Sequence, residues 1–238
     1  MRAFLLAAGR GTRISKSIPE IPKCTLDVGG KPLVLRTVEM LRKNNIEVTI
    51  IVGYRHEYIR EVLKNQPINI VYNPFFDVTN SIGSLWMAKE YLIEEDTIIA
   101  NADVFWSQEI LDEILLHNKE NLMLADYKRA EDGDYFFYAE GGELIRYGKD
   151  LLRNERNSEY VGIAYLDKSF VPVFKERLEK LVSEQRHGIW WENVLYSFIG
   201  ERKINVLDVG DRFWAEIDFI EDYYRIIEYV ESREQVHI

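Results

Sequence analysis

The sequence predicts an α/β fold, a mostly parallel sheet with helices on both faces, and three observations carry that prediction. Short apolar runs rich in β-branched residues alternate with stretches of helical period, a glycine-rich turn closes the first run, and chemically versatile residues recur just past the ends of the runs. Ligands of such sheets gather at the carboxyl ends of the strands. Gly9, Gly53, Asn73 and Asp103 each fall just beyond a predicted strand, so they are expected to converge on one cleft.

Taken in order, Phe4 to Ala8 is the first strand. Leu33 to Asn44 follows Pro32 and carries Leu33, Val34, Val38 and Leu41 at helical spacing, which predicts a helix. Val48 to Val52 reads as a buried parallel strand, Glu57 to Lys64 as a helix, and Ile68 to Tyr72 as a strand. Ser81 to Tyr91 is expected to be helical and Thr97 to Ala100 extended, and Ser107 to Asn118 is expected to be a helix capped by Ser107. Past Leu122 to Ala125, another strand, the pattern changes. Tyr135 to Ala139 and Glu143 to Tyr147 flank Gly141-Gly142 as a hairpin, Tyr160 to Leu166 is a strand, and Phe170 to Ser183 and Trp190 to Phe198 are helices. Ile204 to Val209 and Phe213 to Ile217 are late strands before a closing helix over Phe219 to Val230. No repeat, low-complexity stretch or linker divides residues 1–238, so one domain is expected.

Composition narrows the function. The 30 Lys and Arg against 40 Asp and Glu give a net charge of -10, which argues against a general nucleic-acid or anionic-membrane surface and requires any phosphate site to be locally basic. Cys24 is the single cysteine, which excludes a disulfide framework and a cysteine-based zinc site and suits a reducing cytoplasm. The apolar run near Met1 is short and leads into Arg10 and Arg13 without a cleavage site, and no stretch has the length of a membrane span.

The chemistry begins at Gly9-Arg10-Gly11-Thr12-Arg13, with Lys23 following a loop closed by Pro19 and Pro22. Glycines let a ligand approach the amides, successive N–H groups form a concavity for anions, and Arg13 and Lys23 add full positive charges. This order reads as a nucleotide site. The spacing matches neither the dinucleotide fingerprint nor the Walker loop, and a turn made glycine-rich for steric reasons alone is the alternative. Further on, Asn101-Ala102-Asp103 ends a central strand, where a carboxylate is placed to hold Mg2+ or simply to end the strand. Glu216 and Asp218, two apart on a late strand, share a face that is turned either to the cleft or to solvent.

LAAGRGTR followed by PK resembles the signature of the nucleotidyltransferases that activate sugar phosphates and alcohol phosphates. That resemblance implies a Rossmann-like nucleotidyltransferase fold, with about 1–125 as the nucleotide-binding half and about 126–238 as a substrate-binding half with a small lid. It implies that Arg13 and Lys23 are catalytic. It also implies that Leu6, Ala7, Ala8, Gly9, Gly11, Thr12, Gly53, Asn80, Ser81 and Ala102 join them around the nucleotide. Asp103 and Asp218 are the implied Mg2+ ligands, although Asn101 stands where the family commonly has the first acid of a D-x-D-like turn.

In length, in the Asn80 to Leu85 stretch, in Trp190-Trp191-Glu192-Asn193 and in Glu216-Ile217-Asp218, the chain is most similar to the bacterial CTP:phosphocholine cytidylyltransferases. The implied substrates are CTP and a small phosphorylated amino alcohol. A trimethylammonium head is recognised by aromatic faces and carboxylates. Tyr135 or Phe137, Trp190, Trp191, Glu192 and Glu216 are the candidates, and of the adjacent tryptophans one is expected in the site and one in packing. Phosphoethanolamine or 2-aminoethylphosphonate as acceptor, a sugar-1-phosphate as acceptor, and a non-catalytic nucleotide-binding protein are the alternatives. His56, His117, His187 and His237 receive no catalytic role, and the aromatic surplus leaves a homodimer open.

Overall fold

Alternation along the first strand builds both faces of the sheet. In the computed structural model, which describes residues 1–11, 21–118 and 120–234, β1 (Arg2–Ala7) sends Ala3, Leu5 and Ala7 into one core and Phe4 and Leu6 into another. A strand buried on both sides belongs at the centre of a sheet. β1 lies between β2 (Glu47–Val52) and β4 (Thr97–Asn101), parallel to both, with β3 (Asn69–Tyr72) outside β2. The first core is covered by α1 (Leu33–Lys43), α2 (His56–Val62) and α4 (Gln108–Leu116). α3 (Ser81–Met87), α5 (Val171–Ser183) and α6 (Glu192–Tyr196) cover the second.

The second half of the chain continues the same sheet. β6 (Leu122–Asp126), β7 (Phe136–Glu140), β8 (Glu143–Gly148), β9 (Ser158–Leu166) and β10 (Asn205–Asp208) extend it, among the described residues, to nine strands in the order β3-β2-β1-β4-β9-β6-β10-β8-β7. β9 is antiparallel, so the whole is mixed. It also forks. Its C-terminal half pairs with β4, from Ala100 opposite Ile163 to Thr97 opposite Leu166, whereas at its N-terminal end Ser158 and Glu159 pair with Phe137 and Phe136 of β7. Gly162 stands at the parting with φ +85, where a Cβ would come within 3.0 Å of Val104 and 3.2 Å of the Asn101 amide.

A separate ribbon joins the chain's middle to its end. β5 (Val104–Trp106) pairs antiparallel with β11 (Trp214–Glu216), Val104 opposite Glu216, and the Ile217 N–H donates to the Asp103 carbonyl at 3.0 Å. α7 (Ile220–Glu234) then packs Ile226 and Val230 on Leu26, Val28 and Leu33. The stretch after Lys23 and the stretch after Asp218 therefore share one small core.

The structure departs from the expected elements in detail. Helix α3 ends at Met87, and a turn of 3-10 helix follows over Lys89–Tyr91. The helix after Trp190 is only Glu192–Tyr196, and β5 is a strand too short to announce itself by periodicity. Ser107 holds the N-cap position of α4, but its hydroxyl makes no capping bond.

Candidate active site

One cleft of about 320 Å³ crosses the carboxyl ends of β1 and β4 and runs on beneath the hairpin, a size within the range of small-ligand pockets. Its first end is made of backbone and small side chains: Leu6, Ala7, Ala8, Gly9 and Gly11, with Asn80, Ser81 and Ala102. Gly11 has φ +61, and a Cβ there would lie 2.6 Å from the Lys23 stem, so the glycine admits the lysine into the cleft. Below this end lies Asn73, wholly buried. Its amide donates to Thr79 Oγ1 at 3.1 Å and Ser84 Oγ at 3.0 Å, and its Oδ1 accepts from the Phe75 N–H at 2.9 Å. These bonds fasten the segment that presents Thr79, Asn80 and Ser84 to the cleft.

Charge concentrates at the middle. Lys23, 8% exposed, places Nζ 2.5 Å from Asp218 Oδ1 and 3.8 Å from Asp103 Oδ2. The β5–β11 ribbon brings the two carboxylates together from positions 103 and 218. Glu216 opens onto the same cleft. Burial, and then the negative charges of Asp103 and Asp218, hold its carboxyl well above the usual carboxylate range.

The far end is aromatic. Tyr135, just before β7, stacks on Tyr196 at 6.1 Å and meets Trp190 edge-to-face at 5.5 Å, with Tyr160 behind. Trp190 is 40% exposed and Glu192 only 7%. Burial pushes the Glu192 carboxyl up to about 7; the Asn101 amide, donating to it at 3.3 Å, pulls the other way, and the Asp103 charge adds to the rise. Asn101 is fixed from behind, because its Oδ1 accepts from the Trp191 indole N–H at 3.0 Å. An amide suits this place: a carboxylate would meet the indole equally well but offer Glu192 no donor.

The family model of the MobA-like NTP transferase domain matches residues 3–173. The chain belongs to that family. It is 25% identical over 232 residues to the choline-phosphate cytidylyltransferase of Haemophilus influenzae, covering 96% of this chain and 97% of that one. It is also 25% identical over 248 residues to the CTP:phosphoglutamine cytidylyltransferase of Campylobacter jejuni, covering 93% and 97%. Among solved structures, the CTP:phosphocholine cytidylyltransferase of Streptococcus pneumoniae shares the fold with a TM-score of 0.78 at 22% identity, covering 96% of this chain and 98% of that one.

As a nucleotidyltransferase, the chain places most of the expected residues on this one cleft. Leu6, Ala7, Ala8, Gly9, Gly11, Lys23, Asn80, Ser81, Ala102, Asp103, Tyr135, Trp190, Glu192, Glu216 and Asp218 all line it. Thr12 and Arg13 lie outside the described residues. Four residues expected on the cleft, or as candidates for it, are corrected. Gly53 is not on the cleft but beneath it, where a Cβ would meet the Ala8 carbonyl and Phe76 at 2.7 Å, so its smallness serves packing between strand ends. Trp191 is fully buried in the core and meets the site through its indole N–H on the Asn101 amide and its backbone N–H on Ser81 Oγ, and Phe137 is likewise core. Asn73 also lies behind the wall instead of on it.

The cleft has members that sequence reasoning missed. Asp134, Lys149, Tyr160 and Tyr196 come from a loop, a strand end, a strand and a helix, with no local motif to mark them. Asn101 did carry a signal, as the departure from an acidic position. Among the described residues no helix is long and apolar enough to cross a membrane.

Proposed function

We propose that the chain transfers a cytidylyl group from CTP to phosphocholine, giving CDP-choline and pyrophosphate. The observation that carries this reading is the aromatic wall of Tyr135, Trp190 and Tyr196, set beside the buried carboxyl of Glu192 and the partly buried one of Glu216 in the same cleft as Lys23. A quaternary ammonium has no N–H to donate and is held by aromatic faces and negative charge. The names of the relatives in Haemophilus influenzae and Streptococcus pneumoniae support the same acceptor.

In this reading a phosphate oxygen of the acceptor attacks the α-phosphorus of CTP. The new P–O bond forms as the bond to the bridging α–β oxygen breaks, and pyrophosphate leaves with the electron pair. The nucleophile is already ionised, so the protein has only to align the reactants and answer the charge that develops. Lys23 is the described cation nearest that task, and Arg13 joins it by resemblance. The backbone of Ala8, Gly9 and Gly11 leaves room for phosphates to approach. Asp103 and Asp218 suit Mg2+: they are two oxygen donors on one side of an open cleft, the set this ion takes when it shares its coordination with substrate phosphates. Bound there, Mg2+ would neutralise phosphate charge.

A second reading rests on a separate observation. Among the described residues the Tyr160 hydroxyl is buried without a hydrogen-bond partner, and the Glu216 carboxyl opens onto the same cleft. Such oxygens suit a primary ammonium, as in phosphoethanolamine or 2-aminoethylphosphonate. Pyrophosphate release with CTP, UTP, dTTP, ATP and GTP against phosphocholine, phosphoethanolamine, 2-aminoethylphosphonate and glucose-1-phosphate separates the readings. Turnover of CTP with phosphocholine well above every other pair is expected. A faster reaction with a primary amine moves the acceptor to the second reading, and silence throughout removes both.

A further inference from the structure

The acceptor end of the cleft already contains a cation. The Lys149 ammonium stands over the Trp190 ring, 5.7 Å from its centroid, and pairs with Asp134 Oδ2 at 2.9 Å. Trp190 is also the ring that Tyr135 meets edge-on at 5.5 Å, so its exposed face belongs to the wall assigned to the acceptor head. Lys149 and Asp134 both line the cleft.

A ring face of this kind holds one cation at a time. Its attraction comes from the aromatic quadrupole, and a second positive charge brought to the same face is repelled by the first at short range. Lys149 follows Gly148 at the end of β8 and is about one-third exposed, so its flexible stem can swing the ammonium into solvent without disturbing the core. Asp134 is more exposed still.

We infer that Lys149 is an internal competitor for the acceptor head: its ammonium occupies the Trp190 face and must leave before a cationic head is seated, so this lysine sets the affinity for the acceptor. The inference rests on the reading that the acceptor carries a cation. It does not depend on whether that cation is quaternary or primary. It also supplies an expectation opposite in sign to that for an ordinary binding residue, because removing the side chain should improve binding.

The test replaces Lys149 by Met, which keeps the stem and removes the charge, and by Arg, which keeps both the charge and the ring contact. Steady-state KM is measured for the best acceptor and for the nucleotide. Lys149→Met is expected to lower the ratio of acceptor KM to nucleotide KM by about two- to five-fold, the worth of an exposed cation–π contact. Lys149→Arg should hold that ratio at or above the wild-type value. A rise with Lys149→Met would mean that the lysine grips an anionic part of the acceptor, and no change would mean that it stands clear of the head. Either result overturns the inference. Titrating tetramethylammonium against tryptophan fluorescence needs no turnover and separates the two levels of the claim. Tighter binding to Lys149→Met, in an enzyme that ignores phosphocholine, would uphold the competitor and reject the substrate. Equal binding to both proteins would reject the competitor alone.

Discussion

The two ends of the cleft are made of different material. The end formed by Ala7, Ala8, Gly9 and Gly11 is backbone with almost no side chain, and its shape is held from below by Asn73 and by the close approach of Gly53 to Ala8. The end formed by Tyr135, Tyr196, Trp190 and Glu192 is side chain carried on a loop, the approach to α6 and α6 itself. Main-chain surfaces cannot be retuned by single substitutions without breaking the turn that makes them, whereas a wall of side chains can be repainted one residue at a time. Such a division would let relatives named for phosphocholine and for phosphoglutamine share a full-length likeness to one chain. Between the ends, Lys23, Asp103 and Asp218 form the part that both substrates would meet.

The sharpest way to break this division is at its centre. Lys23→Ala is expected to lower kcat by roughly 10²–10³-fold, the usual cost of losing one group that answers transition-state charge. KM for the acceptor should change far less. The check is steady-state kinetics together with circular dichroism, since the substitution also removes an ammonium 2.5 Å from Asp218 and 3.8 Å from Asp103. A variant that folds and retains near-normal kcat would take Lys23 out of the reaction.

The same contrast explains what was legible in the sequence. Alternating apolar runs place β1, β2, β4, β6 and β9 because burial on both faces leaves a continuous signal. The glycine loop and Asp103 are legible because they are local: each is a few residues placed directly after such a strand. The aromatic end has no local signature. Tyr160 reaches it because β9 forks at Gly162, and Lys149 reaches it because β8 ends at the cleft; neither event can be read from spacing. Trp190 and Trp191 show the limit most plainly. Adjacency alone required them to part, but only the packing against Asn101 decides which one turns inward.

That pair provides the next test, of intermediate size. Trp190→Ala removes a partly exposed ring and is expected to raise acceptor KM about ten-fold or more while costing little stability. Trp191→Ala empties a fully buried site and frees the Asn101 amide, so it should destabilise the fold by about 3–5 kcal/mol. Acceptor KM for each variant and chemical denaturation of each decide the matter. Equal effects on KM would dissolve the distinction between wall and core.

The smallest expected effect concerns Glu192, and its sign is set by its environment. Its carboxyl is raised from 4.5 to about 7, chiefly by burial. Between those values the native protein keeps a proton that the unfolded chain releases, so this group makes stability fall as pH rises from about 4.5 to about 7 and adds no further change above that. Glu192→Gln has no proton to lose. The variant should match wild type near pH 4 and be more stable at pH 8, by up to about 3 kcal/mol if the whole shift counts. Acceptor binding should move the other way, because only the ionised carboxyl attracts a cationic head. Wild-type acceptor KM is expected to fall several-fold between pH 6 and 8 beyond whatever change the titrating phosphates cause. The Gln variant retains the phosphate contribution alone, so the difference between the two profiles isolates the carboxyl. Denaturation midpoints and acceptor KM measured across that range in both proteins test the argument. Parallel profiles would mean that Glu192 stays in one charge state throughout and only packs against Asn101.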